Sequence, residues 1–170
     1  MADREGAVTF KGQPLTLTGE APALGAPAPD FTVLDNELNE VKLSEQRGKK
    51  VVLVAVPSLD TGVCDIEAQR FNKEAASLGS DVAVLVISMD LPFAQARWCG
   101  ATGAENVQTL SDHRDASFGR AYGLLIKELR LLARTVLIVD AEGVLRYRQL
   151  VEEVTNEPDY EAVLTALGEL

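Results

Sequence analysis

Val51-Val52-Leu53-Val54-Ala55-Val56-Pro57-Ser58-Leu59-Asp60-Thr61-Gly62-Val63-Cys64 is the stretch around which the chain is organised. Its first six residues are aliphatic without interruption, as in a strand covered on both faces. Pro57 ends that strand, and its fixed φ stiffens the turn that follows. From Cys64 to Leu78 the pattern is helical, with Cys64, Ala68, Phe71, Ala75 and Leu78 on one face. Strand, polar turn and helix put Cys64 in or just before the first helical turn. There, free backbone N–H groups and the positive end of the helix dipole favour an anion. A thiolate is such an anion. The apolar stripe places the sulfur at the bottom of a depression, so these donors must outweigh the cost of burying a charge.

Before this stretch, Val8 to Phe10 and Leu15 to Thr18 flank Lys11-Gly12-Gln13-Pro14, which predicts a β-hairpin. Glu20 to Asp30 carries three prolines and reads as an extended crossing segment. Phe31 to Leu34 and Glu40 to Leu43 predict a second hairpin, and Ser44 can cap a short helical turn ending at Gly48. After it, Val82 to Ser88 predicts a second buried strand. A helix starts near Asp90 and Pro92, carries Trp98 and Cys99, and ends at Gly100 or Gly103. Val107 to Leu110 reads as a strand and Ala116 to Tyr122 as a short helix. Lys127 to Arg134 fits either a helix or a loop. Thr135 to Val139 and Val144 to Leu150 surround the turn Asp140-Ala141-Glu142-Gly143, and Asp159 to Leu167 is a closing helix. The first strands should be parallel through right-handed crossovers and the last hairpin antiparallel. The expected fold is α/β and thioredoxin-like, a mixed central sheet with flanking helices and an N-terminal β-hairpin extension. One domain over residues 1–170 is expected, with no internal repeat.

The chain is 46% hydrophobic and 25% charged, as in an ordinary globular protein. Its longest apolar runs are too short to span a bilayer. Residues 1–10 hold Asp3, Arg4 and Glu5 and no apolar core run, so no secretory signal is expected and a cytoplasmic location follows. A net charge of −10 argues against nucleic acid as a partner. Two cysteines and one histidine are too few for a structural zinc site.

Each candidate has an inert reading beside its chemical one. Cys64 could be a core cysteine, since the residue type is often buried. Thr61, near the N-cap, could accept from a backbone N–H or donate to the sulfur. Cys99 follows with no C-x-x-C anywhere, which removes a direct dithiol exchange motif. It is either a buried spacer or a resolving thiol, near a helix end where local unfolding costs least. Arg134 opens a strand and is either a solvated charge or a cation facing Cys64. Arg114 reads as part of a capped turn, His113 has no placement beside either cysteine, and Trp98 reads as packing. A cysteine acyl-transfer enzyme would need His113 as its base. A thioredoxin-like binding module would use both cysteines as core.

Together the residues say more. Pro57, Thr61 and Cys64 in P-x-x-x-T-x-x-C resemble the peroxiredoxin active-site signature. The strings Pro57 to Asp65, Ser88 to Gln95, Arg97 to Gly100, Leu131 to Arg134 and Thr155 to Tyr160 resemble the thiol peroxidase subgroup of that family, over nearly the whole chain. The resemblance implies a peroxidatic Cys64 and a resolving Cys99 joined in an intrachain disulfide. It implies that Thr61 and Arg134 hold a hydroperoxide substrate and stabilise the thiolate, that Pro57 shields the pocket, and that thioredoxin is the reductant. It also implies a homodimer and no metal, flavin or haem cofactor. The apolar Leu59, Val63 and Phe93 hint at organic hydroperoxides.

Overall fold

Val51 to Ala55 lies in an interior strand of a seven-stranded mixed sheet in the computed structural model, which describes residues 2–170. In chain order the elements are β1 (Asp3–Phe10), β2 (Gln13–Thr18), β3 (Thr32–Leu34), β4 (Glu40–Lys42), a 3-10 turn (Leu43–Gln46), β5 (Lys50–Ala55) and α1 (Gly62–Ala75). Then follow β6 (Val82–Ser88), α2 (Pro92–Thr102), β7 (Gln108–Ser111), α3 (Ser117–Ala121), β8 (Leu125–Ile126) and β9 (Leu131–Leu132). The chain closes with β10 (Thr135–Val139), β11 (Leu145–Leu150) and α4 (Tyr160–Gly168). The large sheet runs β11-β10-β5-β6-β7-β3-β4. β5, β6 and β7 are parallel, while β10 and β11 are antiparallel, as the crossover rule requires.

The uninterrupted apolar run of β5 follows from its two covered faces. Val51, Leu53 and Ala55 enter one core with Phe31, Phe118 and Leu132. Val52, Val54 and Val56 enter the other with Cys64, Phe71, Trp98 and Leu167. The second core, beneath α1, α2 and α4, therefore contains the buried thiol.

Several local expectations shift. Helix α1 ends at Ala75, not Leu78, because Ser77 and Leu78 donate to carbonyls three residues back and tighten the chain. Ser44 does not cap the 3-10 turn: its N–H donates to Asp30, and the turn stops at Gln46, before Gly48. The run Lys127 to Arg134, which fitted helix or loop, is the turn and second strand of a tight hairpin, with β9 paired to β8, and β8 to β2, in a second sheet ordered β1-β2-β8-β9. The first hairpin turns on two residues only, Lys11 (φ 50) and Gly12 (φ 81). Both central φ values are positive, as the favoured two-residue turn demands. Helix α2 starts with Pro92 in its first turn and stops at Gly103 (φ 68), whose N–H closes on the Cys99 carbonyl.

Candidate active site

Thr61 is the N-cap of α1, so Cys64 is its third helical residue, within the dipole-positive first turn. The turn before it is tied down by Asp90. That carboxylate accepts from Ser58 Oγ (2.6 Å) and the Leu59 N–H (2.8 Å), and is itself steadied by Ser88 Oγ (2.7 Å). Pro57 and Leu59 are buried in this turn.

Thr61 is exposed and does neither thing expected of it. Its hydroxyl donates to the Ser58 carbonyl at 2.9 Å, without capping an N–H or meeting the sulfur. A hydroxyl two bonds from the backbone satisfies the nearest carbonyl of its own turn more readily than a group inside the core.

Cys64 has no exposed surface. Its sulfur accepts from Arg134 Nη2 at 3.3 Å, which is the second of the two placements that the strand-opening arginine allowed. Arg134 is itself 2% exposed. Its Nη1 donates to Glu67 Oε2 at 2.5 Å, while Nε and Nη2 both donate to the Val154 carbonyl, at 3.0 and 2.9 Å. The planar fork thus has two anchors and turns a further N–H of Nη2 onto the sulfur.

Glu67 went unnoticed in the sequence, although its spacing could have exposed it: three residues after Cys64, it is a charged side chain beside the apolar stripe. It is fully buried, and its Oε1 has no hydrogen-bond partner among the described residues. Burial pushes its carboxyl up to about 7, with attraction to Arg134 offsetting only part of that. Arg134 loses from burial as well, but Glu67 and Cys64 together raise it, so the guanidinium stays charged. The two tendencies oppose each other across one ion pair. Burial is the stronger at Glu67, because half of its carboxylate lacks a donor.

Cys99 lies elsewhere in the same core, half-buried against it. Its sulfur is 3.4 Å from Thr109 Oγ1 and 3.9 Å from Asn36 Nδ2, on an open cleft of about 370 Å³ lined by Asp35, Asn36, Glu37 and Val107. Both cysteines are free thiols. Between them, Trp98 Nε1 donates to Asp65 Oδ1 at 2.8 Å, so the residues next to each thiol join α2 to α1.

The remaining candidates fall apart from the thiols. Among the described residues, His113 enters hydrogen bonds only through its backbone, with Ser111 and Arg130. Arg114 pairs with Asp115 and Glu40 at the surface. Asp112 accepts from the N–H groups of Phe118 and Gly119 at the start of α3, and burial pushes its carboxyl up to about 6. Phe93 is 66% exposed, whereas Leu59 is buried. Among the described residues there is no cluster of His, Cys, Asp or Glu able to hold a metal ion, and no helix long and apolar enough to cross a membrane.

Comparison with known proteins places the chain in a family. The family described as Redoxin matches residues 23–164. A curated thiol peroxidase of Bacillus subtilis (strain 168) is 57% identical over 159 residues, which is 94% of this chain and 95% of the relative. A thiol peroxidase of Staphylococcus aureus (strain MRSA252) is 53% identical over 159 residues, covering 94% and 96%. A peroxiredoxin-like protein from Aquifex aeolicus, solved by crystallography, superimposes with a TM-score of 0.90 at 40% identity, over 96% of both chains.

Proposed function

The chain belongs to the Redoxin family, and on that premise we propose an antioxidant thiol peroxidase that reduces hydrogen peroxide and organic hydroperoxides through Cys64. The observation that carries the residue assignment is the buried Cys64 sulfur in the first turn of α1, with Arg134 Nη2 at 3.3 Å. The thiolate attacks one peroxide oxygen. An S–O bond forms as the O–O bond breaks, and the departing oxygen takes a proton and leaves as water or an alcohol. Sulfur loses two electrons and becomes a sulfenic acid.

Cys99 then attacks that sulfur, water leaves, and an intrachain disulfide results. Reduced thioredoxin supplies two electrons and two protons to reopen it. Sulfur carries both electrons, so the scheme needs no metal, flavin or haem. Arg134 polarises the bound oxygen while it stabilises the thiolate. Thr61 turns its hydroxyl from Ser58 to the substrate, and Pro57 keeps water from the turn. The working unit in this proposal is a cytoplasmic homodimer of one-domain chains. The exposed Leu91 and Phe93 supply apolar surface for a second copy to cover.

A peroxide titration followed by non-reducing peptide mapping tests the scheme. One equivalent of peroxide is expected to yield one Cys64–Cys99 link within a chain. Cys64→Ser abolishes consumption. Cys99→Ser permits one turnover and then stalls, and His113→Ala is indifferent. Fresh dithiol protein that leaves hydroperoxide untouched refutes the proposal.

A further inference from the structure

Arg134 is aimed by two anchors, and one of them is a single backbone carbonyl in an irregular segment. Val154 lies between β11 and α4, in the stretch 151–159 that forms neither helix nor strand. Its carbonyl receives both Nε and Nη2 of Arg134. A shift of that carbonyl swings the guanidinium and with it the N–H on the Cys64 sulfur.

The N-terminal hairpin holds the segment in place. The Val154 N–H donates to the Thr9 carbonyl (2.8 Å), and the Thr9 N–H to the Glu152 carbonyl (2.7 Å). Val154 packs with Val8, Leu17, Ile126 and Ala133. The neighbouring Glu153 then gathers five donors. Its Oε1 accepts from Thr9 Oγ1 (2.9 Å) and the Gly12 N–H (2.8 Å). Its Oε2 accepts from the Lys11 N–H (3.2 Å), the Thr155 N–H (2.9 Å) and Thr155 Oγ1 (2.6 Å). The positive φ values of Lys11 and Gly12 present two successive N–H groups to the carboxylate. These bonds, led by the Thr155 hydroxyl, hold its carboxyl down at about 2, so it is an anion throughout the working range.

We propose that Glu153 is a positioning residue for the peroxide reaction, clamping the β1–β2 turn to the 151–159 segment so that the Val154 carbonyl aims Arg134 at Cys64. This rests on the reading of Cys64 and Arg134 given above. The hairpin is then part of the reacting site's support and not an appendage. A carboxylate is needed because all five partners donate. An amide in its place turns an NH2 group toward two or three of those donors.

Glu128 provides a matched control. It holds the same hairpin by accepting from the Thr16 N–H (2.9 Å) but has no link to Val154. The charged groups packed about Cys64 are Arg134 and Glu67, with Glu157 behind Glu67, and neither Glu153 nor Glu128 touches the sulfur.

The experiment compares Glu153→Gln, Glu128→Gln and Arg134→Lys. It measures the first-turnover rate with hydrogen peroxide and the pH profile of iodoacetamide alkylation at Cys64. Glu153→Gln is expected to slow the peroxide step about tenfold, as small misplacements do, and to move the alkylation profile to higher pH. Glu128→Gln leaves both as they are. If Glu153→Gln fails to fold, Thr9→Val removes one donor from the same carboxylate and gives a smaller change in the same direction. Wild-type behaviour of the Glu153 variant, or an equal effect of Glu128→Gln, overturns the inference. If Arg134→Lys also behaves as wild type, it is the reading of Arg134 that fails. If Arg134→Lys collapses both readouts while Glu153→Gln does not, only the role of Glu153 is lost.

Discussion

The surroundings of Cys64 and Cys99 differ in almost every respect that decides reactivity. Cys64 has no exposure, a guanidinium on its sulfur, and a carboxylate and a carbonyl fixing that guanidinium. Cys99 is half-exposed on a cleft, and its polar contacts are a hydroxyl and an amide, both neutral. Their partner sets share no residue. The contrast suits the proposed division of labour, in which the thiol held beside a cation attacks and the other leaves its place to follow. Charge that is buried must be held by geometry, whereas neutral contacts can be exchanged with water at little cost.

Arg134→Met tests the rigid side most severely. It keeps an apolar stem but strands Glu67 as a buried acid, and breaking a buried pair in this way costs about 3–5 kcal/mol. Stability in denaturant melts should fall by that order, and the first-turnover rate by about 10²–10³, as when one electrostatic donor is removed. Arg134→Met with Glu67→Leu should recover the stability and not the rate. By comparison, Thr109→Val beside Cys99 should cost only about 1 kcal/mol. Equal losses at the two sites would break the contrast.

How much of this was legible in the sequence depends on the reach of each interaction. The strand–turn–helix around Cys64 and the parallel order of β5, β6 and β7 are written in local periodicity, and the structure keeps them. The hairpin of β8 and β9 was not legible, because two-residue strands carry no period and gain their partner from β2, more than a hundred residues earlier. Arg134 was found as a candidate, but its orientation depends on Glu67 and on Val154, one of them a backbone atom with no signature. Thr61 shows the opposite error: the N-cap was correct, while the hydroxyl took the nearest carbonyl. Glu67 could have been seen, since an acid three residues after Cys64 puts a charge beside the apolar stripe that faces the core.

Glu67 also makes the rigid side sensitive to pH in a way that Asn36 and Thr109 cannot match. Its folded carboxyl keeps a proton up to about 7, against 4.5 when free. The native state therefore binds more protons between those values, and its stability falls as pH rises through that window. The fall attributable to this group is on the order of 1–3 kcal/mol. Asp112, pushed up to about 6 by burial, adds to the same slope. Glu67→Gln should flatten the difference between urea melts at the two ends of the window without abolishing it. An unchanged slope would mean that the buried pair is ionised throughout.

The smallest expected effect lies where the two regions meet. In the proposed scheme Cys64 and Cys99 pair only after each leaves its own partners, which requires α2 to shift or loosen against α1. The bond from Trp98 Nε1 to Asp65 Oδ1 is one restraint on that motion, since it joins the residues adjacent to the two thiols. Trp98→Phe removes this donor and trims the packing, which should lower stability by about 1 kcal/mol or somewhat more. If the bond is broken in the disulfide-forming state, the same energy no longer opposes resolution, and the second kinetic phase quickens about fivefold. The first phase should be unaltered, because Arg134 keeps its contacts with both Cys64 and Glu67. Stopped-flow measurement of both phases decides between outcomes. A faster second phase alone means that attack and resolution are separately tunable. A slower first phase, or a second phase that does not change while the melt weakens, means that Trp98 only packs and that α1 and α2 respond as one body.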